Sequence, residues 1–187
     1  MFEYVVVLTG VIIGLAVAHL MQGVAKIVEQ PKRVRIWWVH LVWVAQMGLL
    51  CMFWWWFEFR LRLIGSWTFQ LYAFVLGEAF LLYLQCAFLF PHDLNAHQSF
   101  KEYFLARRRW FFGLILANLA IDMLDTWAKG SVYFASLGLE YPITRVVLAL
   151  LCIAAILSPR ERVQGAIVVL VFGYQLSLIA RFYDVVR

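Results

Sequence analysis

The chain has 187 residues, of which 65% are hydrophobic and 14% charged, with a formal net charge of +5. A soluble domain is typically about half apolar and about a quarter charged, and one near 150 residues buries only about 70% of the surface its unfolded chain exposes. Composition therefore excludes a soluble globule, which has no place to hide this much apolar surface, and a disordered chain, which needs low hydrophobicity. With a mean hydropathy of +0.82, the expectation is an integral membrane protein, and the long apolar runs suit helices rather than alternating barrel strands. The fold class expected is all-α, a polytopic six-transmembrane-helix bundle with short loops, forming a single domain over residues 1–187.

Six spans are predicted in chain order, each near the roughly 20 apolar residues that cross a hydrocarbon core. The first is Phe2–Val24, too long and too poor in leading basic residues for a cleaved signal peptide. Ile36–Phe57 contains no Asp, Glu, Lys or Arg, and Trp67–Phe90 is interrupted only by Glu78. Trp110–Ala128 carries Asp122 and Asp125, Tyr141–Leu157 has Arg145 near its start, and Val163–Ala180 has no formal charge. Pro31, Pro91 and Pro159 punctuate the connections, since proline disfavours helix in the residue before it. Between the third and fourth spans, residues 95–108 read as an amphipathic helix on the membrane surface, with Asn95 as cap, Gln98 three residues on, and Phe100, Tyr103 and Phe104 on one face. A helical extension feeding the fourth span accounts for the same pattern. Residues 131–139 read either as a surface helix or as an extension of the fifth span.

Basic residues set the expected orientation. Ten lie in the connections after spans one, three and five: Lys26, Lys32, Arg33, Arg35, Lys101, Arg107, Arg108, Arg109, Arg160 and Arg162. Six lie on the other side: Arg60, Arg62, Lys129, Arg145, Arg181 and Arg187. The richer side is expected in the cytoplasm, with both termini periplasmic. The tryptophans agree: Trp37, Trp38 and Trp110 fall at one boundary and Trp54, Trp55, Trp56, Trp67 and Trp127 at the other, with Trp43 interior. Indole rings favour headgroup depth, where an apolar body and one N–H donor are both satisfied.

Ionisable groups inside a bilayer cost about 2.5–3.5 kcal/mol each on insertion scales, so they face an interior, a wet cavity or a partner. Glu78 stands mid-span, with Gln85 seven positions later on the same face. Asn118, Asp122 and Asp125 form a stripe at i, i+4 and i+7. Arg145 and Arg181 bring the opposite sign to similar depth, with Asp184 three residues beyond Arg181, and the expected arrangement is one cluster of Asp122, Asp125, Arg145 and Arg181. On span one, His19, Gln22 and Lys26 form a polar stripe, while Gly10, Gly14 and Ala18 form a small-residue seam on another face, suited to close helix packing within the chain or between subunits.

Cofactor chemistry is not expected. His19 and His40 are the only pairing for a bis-histidine haem, and neither helix repeats a histidine one haem layer away. His92 and His97 complete the histidines without metal-binding spacing, and Cys51, Cys86 and Cys152 form no CxxC pair and read as inert buried thiols. No phosphate-binding loop, nucleophile elbow or zinc-protease motif is present, and no long basic stripe suits nucleic acid.

The segments GVIIGLAVAHLMQG, RVRIWWVHL and RRRWFF resemble a family of small multi-pass bacterial inner-membrane proteins with no assigned activity. The resemblance implies an inner-membrane location and carries no activity onto particular residues. Two functions are compatible with the sequence. One is a homo-oligomeric channel or transporter moving protons or small cations past Glu78, Asp122 and Asp125. The other is a non-catalytic scaffold, sensor or regulatory subunit whose charge pairs only hold the helices together, with the lipid bilayer and a protein as partners.

Overall fold

The computed structural model describes residues 2–30, 35–58, 68–91, 99–128, 134–135 and 137–182. Within them the chain is all-helical: α1 (Phe2–Glu29), α2 (Trp38–Glu58), α3 (Phe69–Ala87), α4 (Phe100–Ala128), α5 (Glu140–Leu157) and α6 (Glu161–Phe182). Four of these, α1, α3, α5 and α6, are long and apolar enough to cross a membrane, while the apolar stretch of α2, Trp38–Trp54, is shorter. The apolar part of α4 is diluted by Asp122 and Asp125 and preceded by Lys101, Glu102 and the Arg107–Arg109 run. Several helices able to cross a bilayer point to membrane association.

Local chemistry sets the helix ends. Thr68 is extended (φ −97°, ψ 158°) and its hydroxyl accepts from the Leu71 N–H, satisfying one of the donors left open at the start of α3. The Ser99 hydroxyl does the same for Glu102 at the start of α4. At the other end of α5 the carbonyls have an unusual partner. Buried Gln164 of α6 reaches back, its Nε2 donating to the Ala155 and Ser158 oxygens at 2.8 Å each. The α5–α6 turn is thereby closed by a side chain of the protein itself. Between α4 and α5, Gly138 takes φ +70°, a left-handed turn that separates the preceding residues from α5. Residues 137–139 therefore precede α5 rather than extend it, and 131–133 and 136 lie outside the described residues.

In the bundle α2 is central, touching α1, α3, α4 and α6, while α1 lies along α3, α3 on α4, α4 on α5 and α5 on α6. The residues leading into α2 and α4 are tied by an isolated bridge between Arg35 and Ser99, the Phe100 N–H donating to the Arg35 carbonyl at 3.1 Å. Aromatics fill the space between α2 and α4. The Trp43 ring meets Phe111 and Phe112 edge-on, 5.2 and 5.3 Å between centroids, and Phe104 packs beneath both. Phe100, Tyr103 and Phe104 are buried within the protein. Of the stretch read as either a surface helix or an extension feeding the fourth span, residues 100–108 open one continuous α4, their aromatic face packed on the protein core. Asn95 and Gln98 lie outside the described residues.

The face that α1 turns inward runs Val5, Thr9, Ile12, Ala16, Leu20 and Gly23. The small-residue seam lies on another face. Gly10 is half-buried, Gly14 and Ala18 are exposed, and a methyl added at Gly14 meets nothing within 4 Å. Helical spacing groups residues on a face, but only the packing partner decides which face is inside, and here larger side chains fit α3 better. The close approach occurs at Gly23, where an added Cβ falls 2.3 Å from the Phe90 ring.

Gly23→Ala is expected to lower stability by about 1–3 kcal/mol, because the methyl displaces a ring held in the core. Gly14→Ala is expected to be neutral or to stabilise by up to about 1 kcal/mol through helix propensity. Thermal unfolding of both in one detergent, followed by circular dichroism, checks the contrast.

Candidate functional site: two polar layers

The polar side chains gather toward two levels of the bundle. At the first level the opening turn of α5 stands between α4 and α6 and engages both. Toward α4, Arg145 Nε lies 2.9 Å from Asp122 Oδ2. This is a charge pair rather than a directed hydrogen bond, since the Nε–H does not point at the oxygen. The directed bond comes from Tyr141, whose hydroxyl donates to Asp122 Oδ2 at 2.7 Å and shares a 2.8 Å contact with the Thr126 hydroxyl. The Arg145 guanidinium also sits 4.9 Å over the Tyr141 ring. Toward α6, Glu140 accepts from both terminal nitrogens of Arg181, at 2.6 and 3.1 Å, and from Tyr174 at 3.2 Å.

Part of the expected four-residue cluster falls within the described residues. Asp122 and Arg145 meet, and Arg181 also pairs with Glu140, which lies one residue before the predicted span. Alignment of charges by depth does not distinguish two carboxylates on neighbouring helices. The signal overlooked is local: Glu140 and Tyr141 open α5 four or five residues before Arg145, so one helical turn carries partners for both neighbours. The Asp125 side chain, Lys129 and Asp184 lie outside the described residues.

At the second level Glu161, the first residue of α6, accepts from Trp37 Nε1 at 2.8 Å and from Lys101 Nζ at 2.6 Å, joining α6 to the starts of α2 and α4. Nearby, His40 is fully buried. Its Nε2 lies 2.6 Å from the Leu89 carbonyl, so that nitrogen donates, and its ring stacks on Phe100 at 4.6 Å. Phe90 presses edge-on against both His40 and His19, with centroids 5.1 and 6.4 Å away. Phe90 thus stands against both histidine rings, and His40 Nε2 is committed to a carbonyl. His92 and His97 lie outside the described residues. Among the described residues no three His, Cys, Asp or Glu side chains come close enough to hold a metal ion.

The remaining candidates are dispersed. Gln22 and Lys26 are exposed and His19 is half-buried, so this stripe does not line a polar interior. Glu78 is half-buried at the middle of α3 and is engaged there, and Asn118 is half-buried on α4. Gln85 is buried, its Nε2 reaching the Leu114 carbonyl at 3.4 Å. All three cysteines are buried, and Cys51 and Cys86 bring their sulfurs to 3.7 Å, a contact that spacing in sequence does not reveal. Of the basic and aromatic residues used to orient the spans, Lys32, Arg33, Arg60, Arg62, Trp67 and Arg187 lie outside the described residues. Comparison with protein-family models, curated proteins and solved structures finds no match.

A double-mutant cycle on Asp122→Asn and Arg145→Gln is expected to give a coupling of about 1 kcal/mol, modest because both side chains are about one-third exposed. Tyr141→Phe is expected to weaken the same interface by about 1 kcal/mol. Thermal unfolding in detergent reads both, and an additive double mutant contradicts the pairing.

Proposed function

We propose that the chain is a polytopic membrane protein in which all six helices cross the bilayer, and that it serves as a non-catalytic module, a scaffold, sensor or regulatory subunit, rather than as a conduit. The observation that carries the membrane reading is the separation of the two polar layers. From Glu161 to Arg181 along α6 the distance is about 30 Å at roughly 1.5 Å per residue, which is the thickness of a hydrocarbon core. Between those levels the outer flank of α5 is apolar: Ile143, Val146 and Leu150 are 58%, 55% and 61% exposed. In this reading the level of Trp37, Lys101 and Glu161 faces the cytoplasm of a bacterial inner membrane and the termini face the periplasm. The outward Gly14–Ala18 seam is then open to a second copy or to a partner helix.

The preference for a module over a channel rests on what the acidic groups do. Asp122 is held by Arg145 and Tyr141 between α4 and α5, and Glu140 by Arg181 between α5 and α6. The middle of the α2–α4 interface is filled by Trp43, Phe104, Phe111 and Phe112. A conduit needs carboxylates along a wet path, whereas these hold neighbouring helices and large rings occupy the space between. The test is proton and cation flux in liposomes containing the purified chain. Flux no greater than in empty liposomes is expected. Flux that Glu78→Gln or Asp122→Asn abolishes would overturn this reading in favour of transport.

A further inference from the structure

On the membrane reading just given, we propose that an open groove of about 1040 Å³ on the outer face of α2 and α6 is a binding site for an anionic glycerophospholipid, its phosphate at Arg160 and Arg162 and one acyl chain along the helix below. The groove exists because residue 165 has no side chain. The Trp38 ring lies against Gly165 so closely that an added Cβ would fall 2.9 Å from Cζ2, and the exposed indole forms one wall. Ala166 and Leu170 continue the surface away from the arginines. From Arg162 to Leu170 is about 12 Å along α6, enough for a glycerol backbone and the upper part of an acyl chain. The walls are apolar and exposed along that whole length, and the charge is confined to one end.

That charge is available. Glu161 lies between the two arginines in sequence, but its carboxylate is occupied by Trp37 Nε1 and Lys101 Nζ. Among the described residues neither Arg160 nor Arg162 has an ion-pair partner. Two uncompensated guanidiniums therefore stand at the opening turn of α6, where the backbone N–H groups add positive potential. Guanidinium matches a phosphodiester through paired N–H donors. A zwitterionic lipid brings its own cation to the site and neutralises the gain, and a free phosphate leaves the apolar limb unused. An anionic headgroup bearing acyl chains satisfies both ends.

Indole fluorescence reports the occupant directly. The full chain is reconstituted in phosphatidylcholine bilayers in which either phosphatidylcholine or a minor fraction of phosphatidylglycerol carries brominated acyl chains, and quenching is compared. Wild type is expected to show quenching by the brominated phosphatidylglycerol well above its mole fraction, reflecting an enrichment of up to about thirtyfold for two arginines at the surface. Trp38→Phe is expected to remove that excess and leave quenching of the other tryptophans. Arg160→Gln with Arg162→Gln is expected to bring the preference near parity, Arg160→Lys with Arg162→Lys to retain most of it, and Ala166→Phe, which fills the apolar limb without touching charge, to reduce it. Quenching by brominated phosphatidylcholine shows in each variant that the chain is still inserted. Quenching of wild type by the two lipids in proportion to their mole fractions, or a preference that survives loss of both arginines, overturns the lipid site and leaves the membrane reading standing. Absence of quenching by either lipid overturns both.

Discussion

Two sets of ionic and aromatic contacts, about 30 Å apart along α6, constrain everything else in this bundle. Between them the chain can place few charges, since an ion without water or a partner is costly. The structure meets that constraint by pairing. Asp122 with Arg145, Glu140 with Arg181, and Glu161 with Lys101 and Trp37 each join neighbouring helices rather than residues of one helix. The interior between the layers is then left to neutral packing, with Trp43 and the Phe104–Phe111–Phe112 group filling the α2–α4 interface.

Helix α5 shows why the pairs are needed. Within the protein it buries only Cys152 and Ala155. So small an apolar contact holds a helix weakly, and in lipid there is no hydrophobic drive between helices to add to it. Its position is defined instead at its two ends. The opening turn reaches α4 through Tyr141 and Arg145 and α6 through Glu140. The closing turn is fastened by Gln164, which supplies donors to carbonyls that would otherwise be left open. A polar group at each end and an apolar flank between are sufficient to place a helix that packs little.

Much of this architecture is legible in the sequence, and for a physical reason. Apolar length and the proline and serine breaks mark where helices run, so Tyr141–Leu157 and Val163–Ala180 coincide with α5 and α6 to within about two residues. The Asp122–Arg145 pair is legible because both are isolated charges at matching depth. Orientation about the helix axis is not legible. Gly14 and Ala18 point outward because Ile12, Ala16 and Leu20 fill the contact with the core, and nothing in α1 alone ranks those two faces. Nor does the sequence reveal that Phe100, Tyr103 and Phe104 are core residues of α4. An aromatic face beside basic residues suits a lipid surface and a protein interior equally, and only the presence of Trp37, His40 and Phe90 nearby decides it. Gln164 as a helix stop and Glu161 as a hub were hidden for a related reason. Both sit in an ordinary-looking first turn, and their partners are distant in sequence.

The central claim is that apolar α5 passes through hydrocarbon between two polar levels. It is tested most directly by spin labels placed singly at Ile143, Val147, Leu150 and Leu157 in the reconstituted chain, with the three native cysteines replaced by alanine. The account predicts that accessibility to dissolved oxygen is greatest at Leu150 and falls toward both ends, while accessibility to a water-soluble nickel chelate does the opposite. Uniform access of the nickel chelate along α5 would contradict it.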